Sequence, residues 1–449
     1  MNNSTASLSG NSRRLALDLC LILVGIISFG LSTGAFEGFP KGIDAYWHLS
    51  LLKFVANNGL NVDWNQLIYC GTPFFCFYPK GFYYVGTLVH VLTDVSMGDI
   101  LLFLAALALA TMAVGTYCFV YQFSRCNDAS LIASLLLLTS PSVWGVLVGG
   151  GAYPRIFGAA FLPWSMLLMG RYYISQKSGT LYVLMLLSMS LGLFNLSSGL
   201  FVCAGAFITI LTCVSGRDKI TEVMKLSLGI AALSAYFLFP LLSLQPARFL
   251  GLSLRGPLPL ISLLGLQGVL WNVSSPLTMI LAVLLSILYL LRKKSKPPFF
   301  GARIVPTLGL FVGVMVLYSV IPLPSWAMLF TPFDIPFYLS IIGAMFDGVL
   351  FGWLTETLSK LDFLTVVLLS GRKERGCMVR THQDSRVFMR PYNTVRACLL
   401  IAMVAATMYV QPLVRSFASQ YDSASPIARS YWERQLVKVN DSVSDYRLG

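Results

Sequence analysis

The stretch KGIDAYWHLSLLKF, residues 41–54, follows a long apolar segment and fixes how the chain around it is organised. It contains an acid, Asp44, and a histidine, His48, in a protein with only 3 histidines and 11% charged residues. Apolar residues recur after it at helical spacing, which predicts a helix over 45–58 that ends at Gly59. Because Asp44 and His48 are four residues apart, that helix would place both on one face.

The composition of the whole chain is that of a membrane protein. Hydrophobic residues make up 56% of its 449 residues, and its mean hydropathy is +0.73. Apolar runs of about 17 to 25 residues, long enough to cross the hydrocarbon core, recur from end to end. The first run, 15–34, is too long for a signal peptide and has no small-residue cleavage pattern, which predicts a retained helix. The expected fold class is an all-α polytopic membrane protein.

The positive charge of the chain indicates its topology. The formal net charge is +13, but the basic residues form short clusters between apolar runs, and this pattern argues against a nucleic-acid partner. Placing the clusters in the cytoplasm predicts about eleven crossings. The expected segments are a cytoplasmic N-terminus (1–14), a transmembrane domain (15–412) and a short extracytoplasmic tail (413–449).

The crossings follow from the apolar runs. The first outside loop would span 35–98 and include a juxtamembrane segment, Gly81 to Val95. The remaining crossings are expected at about 100–123, 129–147, 156–174, 180–195, 199–214, 226–244, 274–291 and 304–321, in one segment ending before Gly371, and at 395–412.

Cysteine usage predicts neither a metal site nor a redox motif, since the nine cysteines are scattered without a CxxC pair. Cys70 and Cys76 share the first polar loop. They would pair in an oxidising compartment, and the sequence is compatible both with a disulfide and with two free thiols.

The first loop allows two interpretations of its notable residues. Asp44 is either an N-cap, a position that Asp fills well, or a functional carboxylate. The aromatic run GTPFFCFYPKGFYY, residues 71–84, is either an interfacial belt or a floor for a sugar or lipid chain.

Four stretches together resemble a known family. They are GIDAYWHL (42–49), FVANNGL (54–60), FFCFYPKGFYY (74–84) and TSPSVWGVLVGGGAYPRIFGAAFLPW (139–164). This layout resembles the GT-C superfamily of integral-membrane glycosyltransferases. It is most similar to the oligosaccharyltransferase catalytic subunit and to a prokaryotic membrane family named for a 6-pyruvoyl-tetrahydropterin synthase-related domain. The resemblance covers roughly residues 15–200 and implies a GT-C-like helical bundle.

The resemblance also implies a reaction, the transfer of a sugar from a polyprenyl-phosphate or polyprenyl-pyrophosphate carrier to an acceptor on the extracytoplasmic face. Asp44 would be the carboxylate that takes the acceptor's proton or holds a metal that orients acceptor and phosphate. His48 would orient Asp44 or bind phosphate, or else it is a packed histidine. The implied partners are the lipid-linked sugar and membrane lipid. Because the tail is short, acceptor binding would require a partner membrane subunit, unless the chain has lost activity.

A leaving phosphate also needs cations and hydrogen-bond donors around it. The candidate substrate-binding residues are Lys80, Arg155, Arg248 and Arg255, with Tyr78 and Tyr153 beside two of them. For each arginine the alternative is a side chain that snorkels to the headgroups.

The second outside loop departs from the metal-dependent oligosaccharyltransferase pattern. Its GGGAYPR sequence, residues 149–155, contains no acid, so a divalent metal is possible but not favoured, and no cofactor is predicted. Glu37 and Asp63 are alternative acids in the first loop.

Two acids in the tenth crossing support a rival class. Asp347 and Glu356 would lie within the membrane, where a carboxylate is costly and often functional. They would suit an ion-coupled transporter or a lipid-carrier flippase, although the chain shows no paired halves. A noncatalytic scaffold would fit the composition but would leave the first loop unexplained.

Overall fold

The computed structural model describes residues 3–36, 38–42, 44–59, 64–65, 72–73, 80–175, 177–213, 217–244, 337–352 and 355. In chain order the helices are α1 (Asn3–Ser32), α2 (Ala45–Asn58), α3 (Gly81–Thr93), α4 (Met97–Ser124), α5 (Asn127–Leu138), α6 (Pro141–Trp144), α7 (Tyr153–Ala159), α8 (Leu162–Ser175), α9 (Ser178–Phe194), α10 (Leu196–Cys213), α11 (Arg217–Leu244) and α12 (Phe337–Gly352). A π-helical turn, Gly145–Gly149, follows α6. Two short strands, β1 (Trp64–Asn65) and β2 (Thr72–Pro73), pair antiparallel in the first loop.

The helices confirm a polytopic membrane protein. Within the described part, the segments Arg14–Ser32 of α1 and Met97–Ser124 of α4 are long and apolar enough to cross a membrane. A third span results if α5 and the segment Ser142–Gly149, bent by 46°, are taken together. Helices α9, α10 and α12 are apolar but shorter. The total of about eleven crossings stays a prediction, as do the three segments 1–14, 15–412 and 413–449.

Two expected continuous crossings, 129–147 and 156–174, are each interrupted in the structure. Helix α5 ends at Leu138, and the next helix begins at Pro141, whose ring nitrogen has no proton to donate to a preceding carbonyl. The Trp144 indole N–H donates to the Leu138 carbonyl at 2.5 Å and so satisfies one group that the break exposes. Pro163 lies at the start of α8, after the second break.

Helix α4 lies at the centre of the described bundle, packed against α1, α5, α7 and α8. Close approach depends on small residues, as is common between membrane helices. A Cβ on Gly115 would lie 2.6 Å from the Trp164 indole nitrogen, and that indole donates to the Thr111 carbonyl at 3.0 Å. Helix α12 packs in the same way, since a Cβ on Gly348 would lie 2.6 Å from the Ala133 methyl group.

Two polar contacts attach α1 to the bundle. Tyr117 of α4 donates to the carboxylate of Asp18 at 2.9 Å, and Asp18 is fully buried. One turn away, Arg14 forms an ion pair with Asp128 of α5 at 2.8 Å. Asp18 was not among the candidate residues predicted from the sequence. An acid within an apolar run is the signal that would have found it.

Two helices in the described part of the first loop, α2 and α3, agree with what the sequence indicates. Helix α2 has the predicted bounds and ends at Gly59, whose φ of +83° suits glycine. Helix α3 has 13 residues, about 20 Å at 1.5 Å per residue, which is too short to cross the hydrocarbon core. It therefore fits the predicted juxtamembrane segment 81–95, and it packs against α2.

Candidate functional site

Two glycine turns bring the first and second loops into backbone contact. The Asp44 N–H donates to the Gly150 carbonyl at 3.0 Å. Gly42 has a φ of +105° and Gly151 a φ of +65°, conformations that other residues adopt only at a cost. A Cβ on Gly151 would lie 2.7 Å from the Ala45 nitrogen, and a Cβ on Gly42 would overlap the Gly151 backbone. Only glycines at both positions allow the loops to meet this closely.

Asp44 occupies the N-cap position of α2 but does not act as a cap. Its side chain accepts no hydrogen bond from the backbone of α2. Asp44 thus lies where a capping residue is expected, but the hydrogen bond through which a cap stabilises a helix is missing. The half-buried carboxylate is held at the junction of the two loops by its own backbone.

His48 lies one turn along the same helix and is buried. Its backbone N–H donates to the Asp44 carbonyl at 2.9 Å. Its imidazole Nδ1 lies 2.8 Å from the Tyr83 hydroxyl oxygen of α3. The Tyr153 ring approaches edge-on, with 6.5 Å between the ring centroids. Aromatic residues from two other elements thus contact His48, which was expected to share one face of α2 with Asp44.

Arg155, half-buried on α7, provides the positive charge of this site. Burial raises the pKa of Asp44, and the Arg155 charge partly opposes that rise. Burial, together with the Arg155 charge, lowers the pKa of His48 to about 3. His48 is therefore neutral at physiological pH, and the carboxylate is a stronger base than an exposed aspartate.

Tyr153 and Lys80 are the other predicted substrate-binding residues that the structure describes. Tyr153 opens α7, is buried, and donates its hydroxyl to the Lys41 carbonyl at 3.2 Å. That bond ties α7 to the chain just before Asp44. Lys80 is only 3% exposed and directly precedes α3, three residues before Tyr83. The other sequence candidates, Tyr78, Arg248 and Arg255, the acids Glu37, Asp63 and Glu356, and the cysteines Cys70 and Cys76, lie outside the described residues.

A cleft of about 390 Å³ opens on the other side of α2. It is lined by apolar groups, among them Phe39, Leu49 and Met97, and by the charged side chains Lys53 and Asp99. Phe39 stacks on Tyr46 with 4.8 Å between ring centroids. The cleft combines aromatic, cationic and anionic groups beside the helix that carries Asp44 and His48.

Within the part of the chain that the structure describes, few metal-binding side chains gather around Asp44. Among the described residues, no three His, Cys, Asp or Glu side chains come together as a metal site would require. Beside Asp44, one imidazole nitrogen is engaged by Tyr83, and the guanidinium of Arg155 adds a positive charge. Hard divalent ions favour several oxygen ligands, and the described residues offer no such group of carboxylates here.

Asp347 lies far from this constellation. It is half-buried on α12, next to Gly348, which contacts α4 at Val120. Val120 is near the end of α4, whereas α3 and its Tyr83 precede the start of that helix. Among the described residues, the structure therefore separates Asp347 from Asp44, the two acids proposed for different functions.

Two parts of the site escaped the sequence analysis. Tyr83 was quoted within an aromatic run without a role, and only the packing of α3 on α2 distinguishes it from Tyr84. The glycines Gly42 and Gly151 were likewise unassigned. The available signal was a glycine shortly before each candidate charged residue, Gly42 before Asp44 and Gly151 before Arg155. Close approach between backbones often requires glycine.

Comparison with known proteins identifies the fold. No family model matches the chain, and no curated protein matches it. Among solved structures, ArnT from Cupriavidus metallidurans bound to undecaprenyl phosphate matches at a TM-score of 0.53 and 12% identity, over 91% of this chain and 75% of that one. Arabinofuranosyltransferase AftD from Mycobacteria matches at a TM-score of 0.51 and 17% identity, over 88% of this chain and 27% of that one.

The oligosaccharyltransferase of Archaeoglobus fulgidus also aligns, at a TM-score of 0.46 and 12% identity, over 89% of this chain and 56% of that one. This chain thus spans little more than half of that protein and about a quarter of AftD. The ArnT and AftD matches give the chain a GT-C-like fold and confirm the architecture expected from its sequence.

Proposed function

We propose that the protein is a membrane glycosyltransferase that moves a sugar from a polyprenyl-phosphate-linked donor to an acceptor on the extracytoplasmic face. The observation that carries this proposal is the placement of Asp44 within a GT-C-like fold. Two loops fix its backbone at the start of α2, beside the cation of Arg155. A basic carboxylate next to a positive charge is what transfer from a phosphate leaving group needs.

The proposed reaction assigns one task to each group. An acceptor hydroxyl or amine attacks the anomeric carbon, and the bond between that carbon and the carrier phosphate breaks. Asp44 takes the proton that the acceptor loses. The electron pair of the broken bond stays with the phosphate, and Arg155 stabilises the charge that develops there.

The remaining substrate contacts are proposed by position. Tyr153, whose ring lies edge-on to His48, and Lys80, three residues before Tyr83, would contact the donor's phosphate or sugar. Tyr78, Arg248 and Arg255 are assigned to donor binding from the sequence alone. The undecaprenyl phosphate bound in ArnT supports a polyprenyl carrier for this chain too. An acceptor-binding partner subunit remains part of the proposal.

The test is donor consumption by the purified protein in lipid nanodiscs, with a radiolabelled pool of polyprenyl-phosphate sugars. Asp44→Asn should abolish consumption because the amide cannot accept the proton. Asp94→Asn is the matched control, since Asp94 is an exposed acid with a φ of +54° at the end of α3, a conformation that Asn tolerates. Consumption that survives Asp44→Asn would overturn the assignment, and consumption equally lost in both variants would point to a folding defect.

The rival proposal, an ion-coupled transporter or lipid-carrier flippase, depends on Asp347 and Glu356. Asp347 lies on α12 at the opposite end of α4 from the loops that hold Asp44. Such a protein would require Asp347 and tolerate Asp44→Asn. A transferase would instead require Asp44 and tolerate Asp347→Asn.

A further inference from the structure

Helices α2 and α3 hold a hydrogen bond between two buried side chains at the edge of the proposed site. Tyr83 is fully buried, His48 is 1% exposed, and 2.8 Å separates the Tyr83 hydroxyl oxygen from Nδ1 of His48. One turn further along both helices, Leu52 contacts Gly86, where a Cβ would lie 2.7 Å from a Leu52 methyl group. This close approach fixes the distance between the helices and therefore the bond.

The direction of this hydrogen bond follows from the chemistry of the two groups. A bare imidazole nitrogen is a much stronger acceptor than a phenol oxygen, and a phenol O–H is a more acidic donor than a neutral imidazole N–H. The favoured arrangement has the Tyr83 O–H donating to Nδ1. The single proton of a neutral imidazole is then on Nε2, because the bond at one ring nitrogen decides the state of the other.

We propose that Tyr83 is a positioning residue that fixes His48 as the Nε2–H tautomer, so that His48 serves the transfer as a hydrogen-bond donor to an anionic oxygen and not as a base. The role in transfer rests on the proposed function, whereas the tautomer does not. The anionic oxygen belongs either to Asp44, four residues earlier on the same helix, or to the phosphate of the donor. The low pKa of His48 is consistent with this role, since burial and the Arg155 charge keep the ring neutral.

The structure supplies an internal reference for the opposite tautomer. Nδ1 of His90, on the exposed part of α3, lies 2.8 Å from the Val95 carbonyl oxygen. A carbonyl can only accept, so neutral His90 carries its proton on Nδ1. The two histidines of this region should therefore show opposite tautomers in one spectrum.

The test is ¹⁵N NMR of the full-length, histidine-labelled protein in nanodiscs, above the pH at which exposed histidines are charged. His48 is assigned by its loss in His48→Asn, and His90 by its loss in His90→Gln. The expected result is a bare Nδ1 and a protonated Nε2 for His48, with the reverse for His90. In Tyr83→Phe the single tautomer of His48 should be lost, whereas Tyr84→Phe, the adjacent phenol, should leave it intact. A protonated Nδ1 in His48, or an unchanged tautomer in Tyr83→Phe, would overturn the inference.

Two further measurements identify the anionic oxygen and separate this inference from the proposed function. The Nε2–H resonance should shift in Asp44→Asn if the carboxylate is the acceptor, and on addition of undecaprenyl phosphate if the phosphate is. If the resonance shifts neither in Asp44→Asn nor with undecaprenyl phosphate, His48 does not act as the proposed hydrogen-bond donor. In the transfer assay Tyr83→Phe should lower kcat about 10-fold with little change in KM, the scale expected when a partner that orients an imidazole is removed. If the wild type shows the expected tautomer but consumes no donor, the proposed function fails while the Tyr83–His48 assignment stands.

Discussion

The backbone N–H of Asp44 donates to the carbonyl oxygen of Gly150 at 3.0 Å, so a carboxylate from one loop is fixed by a loop more than one hundred residues later. The contact depends on two glycine turns, at Gly42 and Gly151, and it brings Arg155 toward Asp44 and His48.

Gly42→Ala should disrupt the junction of the two loops. The added methyl group would overlap the Gly151 backbone, and the φ of +105° is unfavourable for alanine. Gly38→Ala is the matched control, because Gly38 has a φ of +68° with nothing within 4 Å of the added carbon. The control should cost about 1 kcal/mol of stability. Gly42→Ala should cost several times more and should abolish donor consumption. Equal thermal shifts in the two variants would contradict the junction.

Acidification should destabilise the protein through His48. The pKa of this group is lowered from 6.5 to about 3 in the folded protein, so below pH 6.5 the unfolded chain takes up a proton that the folded chain does not. The stability present above pH 6.5 should be lost as the pH falls toward about 3, by up to about 1.4 kcal/mol per pH unit. Thermal unfolding between pH 7 and 4 measures the slope. His48→Asn should flatten it, and an unchanged slope in His48→Asn would contradict the prediction.

Arg155→Gln should move the acidic limb of the transfer activity to higher pH. The Arg155 charge opposes the rise that burial causes in the pKa of Asp44, so its removal raises that pKa further. More of Asp44 is then protonated at a given pH, and half-maximal activity should require a higher pH. The loss of a cation at the leaving phosphate should also lower kcat by about 100-fold. Arg171→Gln, at an exposed position of α8, is the control. An unshifted limb would place Arg155 outside the site.

Asp347→Asn should keep donor consumption within about twofold of the wild type. The half-buried Asp347 lies on α12, away from the Asp44 junction, and has no role in the proposed transfer. Donor consumption by Asp347→Asn and Asp44→Asn, measured under identical conditions, shows which of the two acids the reaction needs. A large loss in Asp347→Asn, with a normal amount of folded protein, would favour the transporter interpretation.

Tyr117→Phe should weaken the attachment of α1. The phenol donates to the buried Asp18 carboxylate, and hydrogen bonds between membrane helices contribute about 0.6 to 1.7 kcal/mol. Tyr121→Phe is the control, since Tyr121 stacks on Tyr117 and is 40% exposed. Denaturant titration in detergent measures the difference. A double-mutant cycle with Asp18→Asn isolates the pair, and a coupling energy near zero would contradict the contact.

The local features of the site were readable from the sequence. Helix α2 has the expected bounds because its apolar spacing and Gly59 are signals within one short segment. The same holds for α4, a largely apolar helix of 28 residues that matches the crossing predicted at about 100–123. The continuous crossings expected over 129–147 and 156–174 were not found in that form. Pro141 and Pro163 interrupt them, and hydropathy averaged over a window does not register the loss of one backbone donor.

The sequence by itself determined the membrane class, the α2 helix and the shared face of Asp44 and His48, because hydropathy and helical periodicity depend only on neighbouring residues. The tertiary structure decided which distant groups meet that face. Gly150 lies more than one hundred residues beyond Asp44, and Tyr83 differs from Tyr84 only in the side of α3 that packs on α2. Such contacts, and the pKa values that burial and Arg155 impose, arise only when separate elements close around each other in a medium of low polarity.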